Sequence, residues 1–291
     1  MNPPIPAFPT ADPKPGSSPS LATSPTLGVR RASELMSCDV RDKQGEKLAS
    51  IEDLIVDERA GHVAAAVLAF GGILGFGEKR FAVPLARLTR SSDPHVVVTD
   101  LGKGELENAP SFPSGAWPQF DRKYTDSLNV HYRVTRPGTR ATSVASVGPV
   151  GDAELDPERL HARGLERASK LIGTTVTDPS GASVGHLADL AVEEGSDRIV
   201  YAVLSFGGFL GMGDKLFALP WSALSQTYVE EKLRLVLDVA KERLEAAPGF
   251  DKTSWPNLAD RRWGARVHEY YAQEPWWAAS NDRRPDSQRP I

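Results

Sequence analysis

The chain has 291 residues, enough for two domains of ordinary size, and its 40% hydrophobic and 25% charged content is that of a globular protein. A formal net charge of −4 weighs against a protein whose main task is gripping naked nucleic acid. The single cysteine, Cys38, excludes an intrachain disulfide and any cysteine-rich metal site.

Residues 1–28 are rich in Pro, Ser and Thr and hold few large apolar groups. They cannot bury enough surface to offset chain entropy, so a disordered tail is expected. This stretch has neither the basic nor the apolar region of a secretory signal. No run in the chain approaches the roughly 18 apolar residues of a membrane span. A soluble, cytoplasmic protein without an integral membrane segment is therefore expected.

The next segment, 29–132, opens on strand and turn signals. DKQGEK (42–47) is a turn cluster between strands, and VAAAVLAF (63–70) is apolar on both faces and rich in β-formers. The glycine-rich FGGILGFGEK follows. RFAVP then reads as a returning strand stopped by Pro84, PLARL as a short helical turn, and HVVVTD as a further strand. KGELENAPSF looks like one short helix ended by proline. Residues 133–164 are polar and rich in small residues, and read as an interdomain linker.

From 165 to 277 the same order returns. Ala32-Ser33 matches Ala168-Ser169, a shift of 136 positions that also aligns Asp42 with Asp178, Gly45 with Gly181 and Asp53-Leu54 with Asp189-Leu190. The shift then becomes 138, where Trp117-Pro118 meets Trp255-Pro256. So long a period marks a duplicated domain rather than a solenoid. The second copy adds an amphipathic helical stretch, NLADRRWGARVHEYY, ending near EPWW. Residues 278–291 are a second polar tail, expected to be disordered. Five or so short strands per copy suggest a small β-barrel with a short helical appendage.

Two stretches, SIEDLIVDERAGHVAAAVLAFGGILGFGEKRFAVPLARL and HLADLAVEEGSDRIVYAVLSFGGFLGMGDKLFALPWSAL, resemble the PRC-barrel family. The shared motif is an apolar strand, FGG, a glycine-rich loop, then [KR]-x-F-A-[VL]-P. The family includes the cytoplasmic domain of the photosynthetic reaction centre H subunit and the C-terminal domain of a 16S rRNA maturation factor. The resemblance covers roughly 33–100 and 169–238. It implies a mainly β fold of two tandem barrels, and a bacterial adaptor, scaffold or stress-related accessory protein rather than an enzyme. The chain lacks the H subunit's transmembrane helix and the maturation factor's N-terminal domain. A peripheral subunit of a photosynthetic or membrane complex, and a ribosome assembly factor, are the alternatives.

The repeated loop admits a sharper reading as a phosphate cradle. The P-loop pattern needs Lys and then Ser or Thr directly after its last glycine. Here Glu78 or Asp214 intervenes, where an acid would repel phosphate, and a strand rather than a helix follows. The glycines suit a hairpin connection instead. Ile73, Leu74 and Phe76, with Phe209, Leu210 and Met212, are too apolar for water and should bury against something. Three candidates stand: their own barrel, the other copy, or an external partner. A homodimer is also compatible.

No other constellation supports catalysis. None of the six histidines, His62, His95, His131, His161, His186 and His268, recurs at the matching position of the other copy. Asp53 and Asp189 do recur, and a structural hydrogen bond to a turn is expected of each. Cys38 faces Thr174 in the other copy and reads as a structural thiol. Lys79 and Lys215 recur at the loop exit and read as solvated. No cofactor, metal or catalytic residue is expected. Trp263, Tyr270, Tyr271, Trp276 and Trp277 cluster at the end of the second copy. They read either as packing of the appendage or as a patch for a protein partner, since Trp, Tyr and Arg dominate interface hot spots.

Overall fold

The computed structural model describes residues 28–70, 79–113, 116–134, 164–206, 215–229 and 232–278. Both expected tails, most of the expected linker and both glycine-rich tips lie outside the described residues.

The first copy runs β1 (Val29–Arg31), α1 (Ala32–Leu35), β2 (Asp39–Arg41), β3 (Lys47–Asp57), β4 (His62–Phe70), β5 (Lys79–Val83), β6 (Leu88–Arg90) and β7 (Val96–Thr99). It ends in α2 (Lys103–Glu107), β8 (Ser111–Pro113) and α3 (Arg122–His131). The second copy runs β9 (Leu165–Arg167), α4 (Ala168–Leu171), β10 (Thr175–Thr177), β11 (Ser183–Glu193), β12 (Ile199–Phe206), β13 (Lys215–Pro220), β14 (Leu224–Val229) and β15 (Lys232–Leu237). It ends in α5 (Lys241–Glu245), β16 (Phe250–Asp251) and α6 (Arg261–Tyr270).

The two sheets share one topology, β6-β7-β2-β3-β4-β5-β8 and β14-β15-β10-β11-β12-β13-β16. The protein is mainly β, as expected. Local chemistry explains the turns. Asp42 accepts from the amides of Gln44 and Glu46, and Asp178 from those of Ser180 and Ala182. Pro84 and Pro220 each precede a single 3₁₀ turn, Leu85–Arg87 and Trp221–Ala223. β4 is buried from Val63 to Leu68, on both faces, and its small side chains Ala64, Ala65 and Ala66 permit close packing there.

The helical stretch expected only in the second copy has a counterpart in the first. Asp121 caps α3 through the Tyr124 amide, and Asp260 caps α6 through the Arg262 amide. Each helix ends on a buried tyrosine, Tyr132 or Tyr271. The match stands at a shift of 139, because Ala259 adds one residue between Trp255 and the cap.

Each sheet has an eighth strand, supplied by the other copy. β1 of the first copy pairs antiparallel with β11, Val29 to Arg31 against Glu193 to Ala191. β9 of the second copy pairs with β3, Leu165 to Arg167 against Asp57 to Ile55. The hairpin turns β3–β4 and β11–β12 meet between these arms. There Val63 N donates to Asp197 O at 2.7 Å and Ile199 N to Gly61 O at 2.8 Å. The buried apolar side chains of both copies form one continuous core.

At this meeting point Gly61 has φ +64° and lies against Trp221 of the other copy, where an added Cβ would come within 2.6 Å of the indole. Gly61→Ala should therefore cost about 1–3 kcal/mol in urea unfolding, through strain and overlap together. Trp221→Leu, which installs the residue of the first copy's equivalent site, Leu85, should return part of that loss. A Gly61→Ala cost unchanged in the Trp221→Leu background would show that the indole is not the obstacle.

Candidate functional site

Two recurring polar pairs, Asp53 with Asp189 and Ser33 with Ser169, meet at the seam between the copies. In β3 a bulge falls between Ile51 and Asp53, and in β11 an equivalent bulge falls between Leu187 and Asp189. A bulge re-aims the side chain beside it. Asp53 is thereby directed at the start of α4, where its Oδ1 accepts from Ser169 N at 3.1 Å and its Oδ2 from Ser169 Oγ at 2.6 Å. Asp189 does the same for α1, accepting from the amide and hydroxyl of Ser33. Each aspartate also accepts from the next amide of its own strand, Leu54 or Leu190.

These aspartates were each expected to make a structural hydrogen bond to a turn. They instead cap short helices of the other copy, whose own N-cap positions, Arg31 and Arg167, make no side-chain cap bond. The paired Ala-Ser and Asp-Leu motifs are two halves of one reciprocal lock.

A second layer covers it. Arg167 donates through Nε to Asp53 Oδ2 at 2.7 Å, and its guanidinium lies 3.6 Å from the centre of the Trp117 ring. Arg31 lies over Trp255 at 4.5 Å. Both tryptophans that recur before proline thus hold an arginine of the opposite copy, a contact worth roughly 0.5–2 kcal/mol each.

The two locks differ in charge. Arg31 pairs with Glu34 on its own helix, whereas the matching residue of the second copy, Lys170, leaves Arg167 to pair with Asp53. Burial pushes the Asp189 carboxyl above the usual carboxylate range, against the pull of its Ser33 and Leu190 donors.

The aromatic residues at the chain's end fall into two groups. Trp263 and Trp276 pack edge-on against buried Tyr201, at 5.4 and 5.1 Å between ring centres. Trp277 meets Trp276 at 4.3 Å and His268 at 5.8 Å. Tyr201 stands where the first copy has Ala65, so these rings fill a site unique to the second copy. Trp276 also reaches the seam, donating through Nε1 to Glu193 Oε1 at 3.1 Å, while its carbonyl accepts from Arg198 Nη1 at 2.7 Å. Tyr270 and Tyr271 form a separate, buried pair beside Arg243. The apolar tip residues Ile73, Leu74, Phe76, Phe209, Leu210 and Met212 lie outside the described residues. Among those described, no group of acidic, His and Cys side chains is placed to hold a metal ion, and no helix is long and apolar enough to cross a membrane. Cys38 is buried, with Arg30 Nη2 3.0 Å from its sulfur.

The model of the PRC-barrel domain matches residues 27–106 and again residues 163–244, more than half of the chain. The chain belongs to the PRC-barrel family. None of the curated proteins matches it. Both matched PRC-barrel segments include the exchanged strand and the capped helix, so the reciprocal lock sits within the family domains and not in the linker.

Removal of either cap should destabilise, but unequally. Asp53→Ala leaves Arg167 and Ser169 without their acceptor in a buried place and should cost about 3–5 kcal/mol in urea unfolding. Asp189→Ala removes a carboxyl with no arginine bonded to it and should cost about 1–3 kcal/mol. Equal costs would show that the Arg167 pair adds nothing.

His268 supplies a pH test. Burial pulls its imidazole down to about 4. Between that value and the ordinary 6.5, the unfolded chain binds the proton and the folded one does not, so this residue's contribution to stability falls as pH falls through that window. His268→Phe should gain on the wild type from pH 7 to pH 4 by an amount on the order of 1–3 kcal/mol. A constant difference across urea midpoints at pH 7, 5 and 4 would overturn this.

Proposed function

We propose that the protein is a non-catalytic scaffold of the cytoplasm, which holds two PRC barrels in fixed relation and offers their apolar tips to a protein partner. The observation that carries this reading is the reciprocal lock. Asp53, Asp189, Ser33, Ser169, Arg31, Arg167, Trp117 and Trp255 recur between the copies, and each is engaged across the seam. Duplication has preserved a joint. The tip sequence recurs as well, with three large apolar side chains per copy. Conserved shape at the joint together with apolar tips suits docking better than turnover, and buried apolar anchors are what protein interfaces use. The aromatic group of the second copy serves mainly as packing under this reading, because Trp263 and Trp276 are spent on Tyr201 and the seam.

The test exchanges Ile73, Leu74 and Phe76 for serine, then Phe209, Leu210 and Met212, and then all six. Docking predicts unchanged urea midpoints and quantitative loss of the partners that the wild-type chain captures from native lysate. A fall in stability of about 2 kcal/mol or more per tip would instead show that the tips plug their own barrels. Capture unaffected by all six exchanges would remove the tips from the reading. Washed membranes and ribosomal subunits are assayed alongside, since ribosome binding would weaken steeply with salt.

A further inference from the structure

The two strand exchanges are alike in backbone and opposite in charge. Glu194 N donates to Gly28 O at 2.8 Å, and Glu58 N donates to Gly164 O at 2.9 Å. These glutamates match one another at the 136-residue shift, and so do Arg30 and Glu166 on the strands that face them. Glu194 therefore meets cations: Arg30 at 3.9 Å and Arg90 at 3.3 Å, both from the first copy. Glu58 meets a phenol and another acid. Its Oε2 accepts from Tyr228 of β14 at 2.6 Å, and Glu166 faces it from β9. Asp57 and Arg59 are its charged neighbours on its own hairpin, and Arg167 of β9 is committed to Asp53. Glu58 is only 2% exposed.

We propose that one arm of the seam is proton-operated: the β3–β9 exchange holds while Glu58 carries a proton and loosens when it ionises, whereas the β1–β11 exchange does not respond.

The physical argument is a burial cost with unequal compensation. A buried carboxylate needs a cation or several donors. Arg30 and Arg90 meet that need on one side. On the other side the position of Arg30 is taken by Glu166, so ionisation adds like charge beside a buried group. Burial pushes the Glu58 carboxyl up to about 7, with Glu166 and Asp57 adding to the rise and Tyr228 and Arg59 opposing it. When the arm opens, water reaches the carboxyl and its affinity for protons returns to the ordinary 4.5. The closed arm thus holds a proton that the open arm releases. Closure is favoured fully below pH 4.5, loses strength as pH rises to about 7, and is weakest above it.

Hydrogen exchange of the intact chain at pH 5 and pH 8, corrected for intrinsic rates, reads this directly. The Glu58 amide reports one arm and the Glu194 amide the other. From pH 5 to pH 8, protection at Glu58 should fall by at least about ten-fold, with a ceiling of about 70-fold set by the two proton affinities over that window. Protection at Glu194 should stay constant. Glu58→Gln should abolish the fall. Glu166→Arg, which restores the charge found in the other arm, should raise protection at pH 8 and flatten the profile. That second variant decides the matter if Glu58→Gln fails to fold. Equal responses in the two arms, or a wild-type profile in Glu166→Arg, would overturn the proposal.

Discussion

The protein depends on a buried carboxylate that its own barrel leaves incompletely paired. Asp53 lies in an eleven-residue strand that is otherwise apolar where it is buried, and it has no exposed surface. A charge in such a place is costly unless donors converge on it. Within its own strand it finds one amide, Leu54; the Ser169 amide, the Ser169 hydroxyl and the Arg167 guanidinium come from the other copy. Asp189 stands in the same relation to Ser33. Each barrel leaves a polar group that the other must satisfy, so the unit that closes its hydrogen bonds is the pair. Buried polar contacts of this kind contribute more to choosing one arrangement than to raw stability. Here they fix which strand joins which sheet.

The two halves of the joint differ in their side chains. In a symmetric homodimer any residue at a two-fold interface appears on both sides, so a charge change at one lock is imposed on the other. In a single chain the two sides are separate positions. Glu34 faces Lys170, Arg30 faces Glu166 and Gly61 faces Asp197 across the duplication. Both members of the last pair keep a left-handed backbone, φ +64° at Gly61 and +58° at Asp197, so the turn is preserved although the residue is not. The backbone bonds of the seam are held in common, and the side chains around them set the two arms apart.

Much of this fold is legible in the sequence, and the reason is local. The strands at 62–70 and 199–206, the Asp-x-x-Gly turns and the prolines that end β5 and β13 follow from propensity and short-range spacing. The repeat also exposes Asp53, Ser169 and Trp117 as positions of interest. Their meaning was not legible, because no periodicity states whose strand completes whose sheet. Asp53 and Ser169 lie 116 residues apart, and a carboxylate bonding a turn of its own copy fits the same pattern. The helix α3 was missed for a smaller reason: one inserted residue, Ala259, breaks the alignment just before the caps that would have revealed it. Among the terminal aromatics, Trp263 and Trp276 gather on Tyr201 with Trp277 beside them, whereas Tyr270 and Tyr271 pair with each other beside Arg243, a division that adjacency in sequence does not reveal.

The same strands connect the seam to the points where the tips depart. β4 begins at His62, in the seam, and ends at Phe70, where the first tip departs; β12 likewise runs from Ile199 to Phe206. Eight or nine residues of strand span roughly 25–30 Å. Each tip thus departs from a strand that is buried along most of its length and whose far end is clamped to the other barrel. A small rotation at the clamp becomes a displacement of ångströms where the tips depart, since a packed sheet passes on motion rather than absorbing it. The charge asymmetry falls at this clamp, one side fastened by Arg30 and Arg90 and the other by Tyr228 and Glu58. A scaffold built this way would have one fixed arm and one adjustable arm, and its adjustment would need no pocket and no ligand larger than a proton.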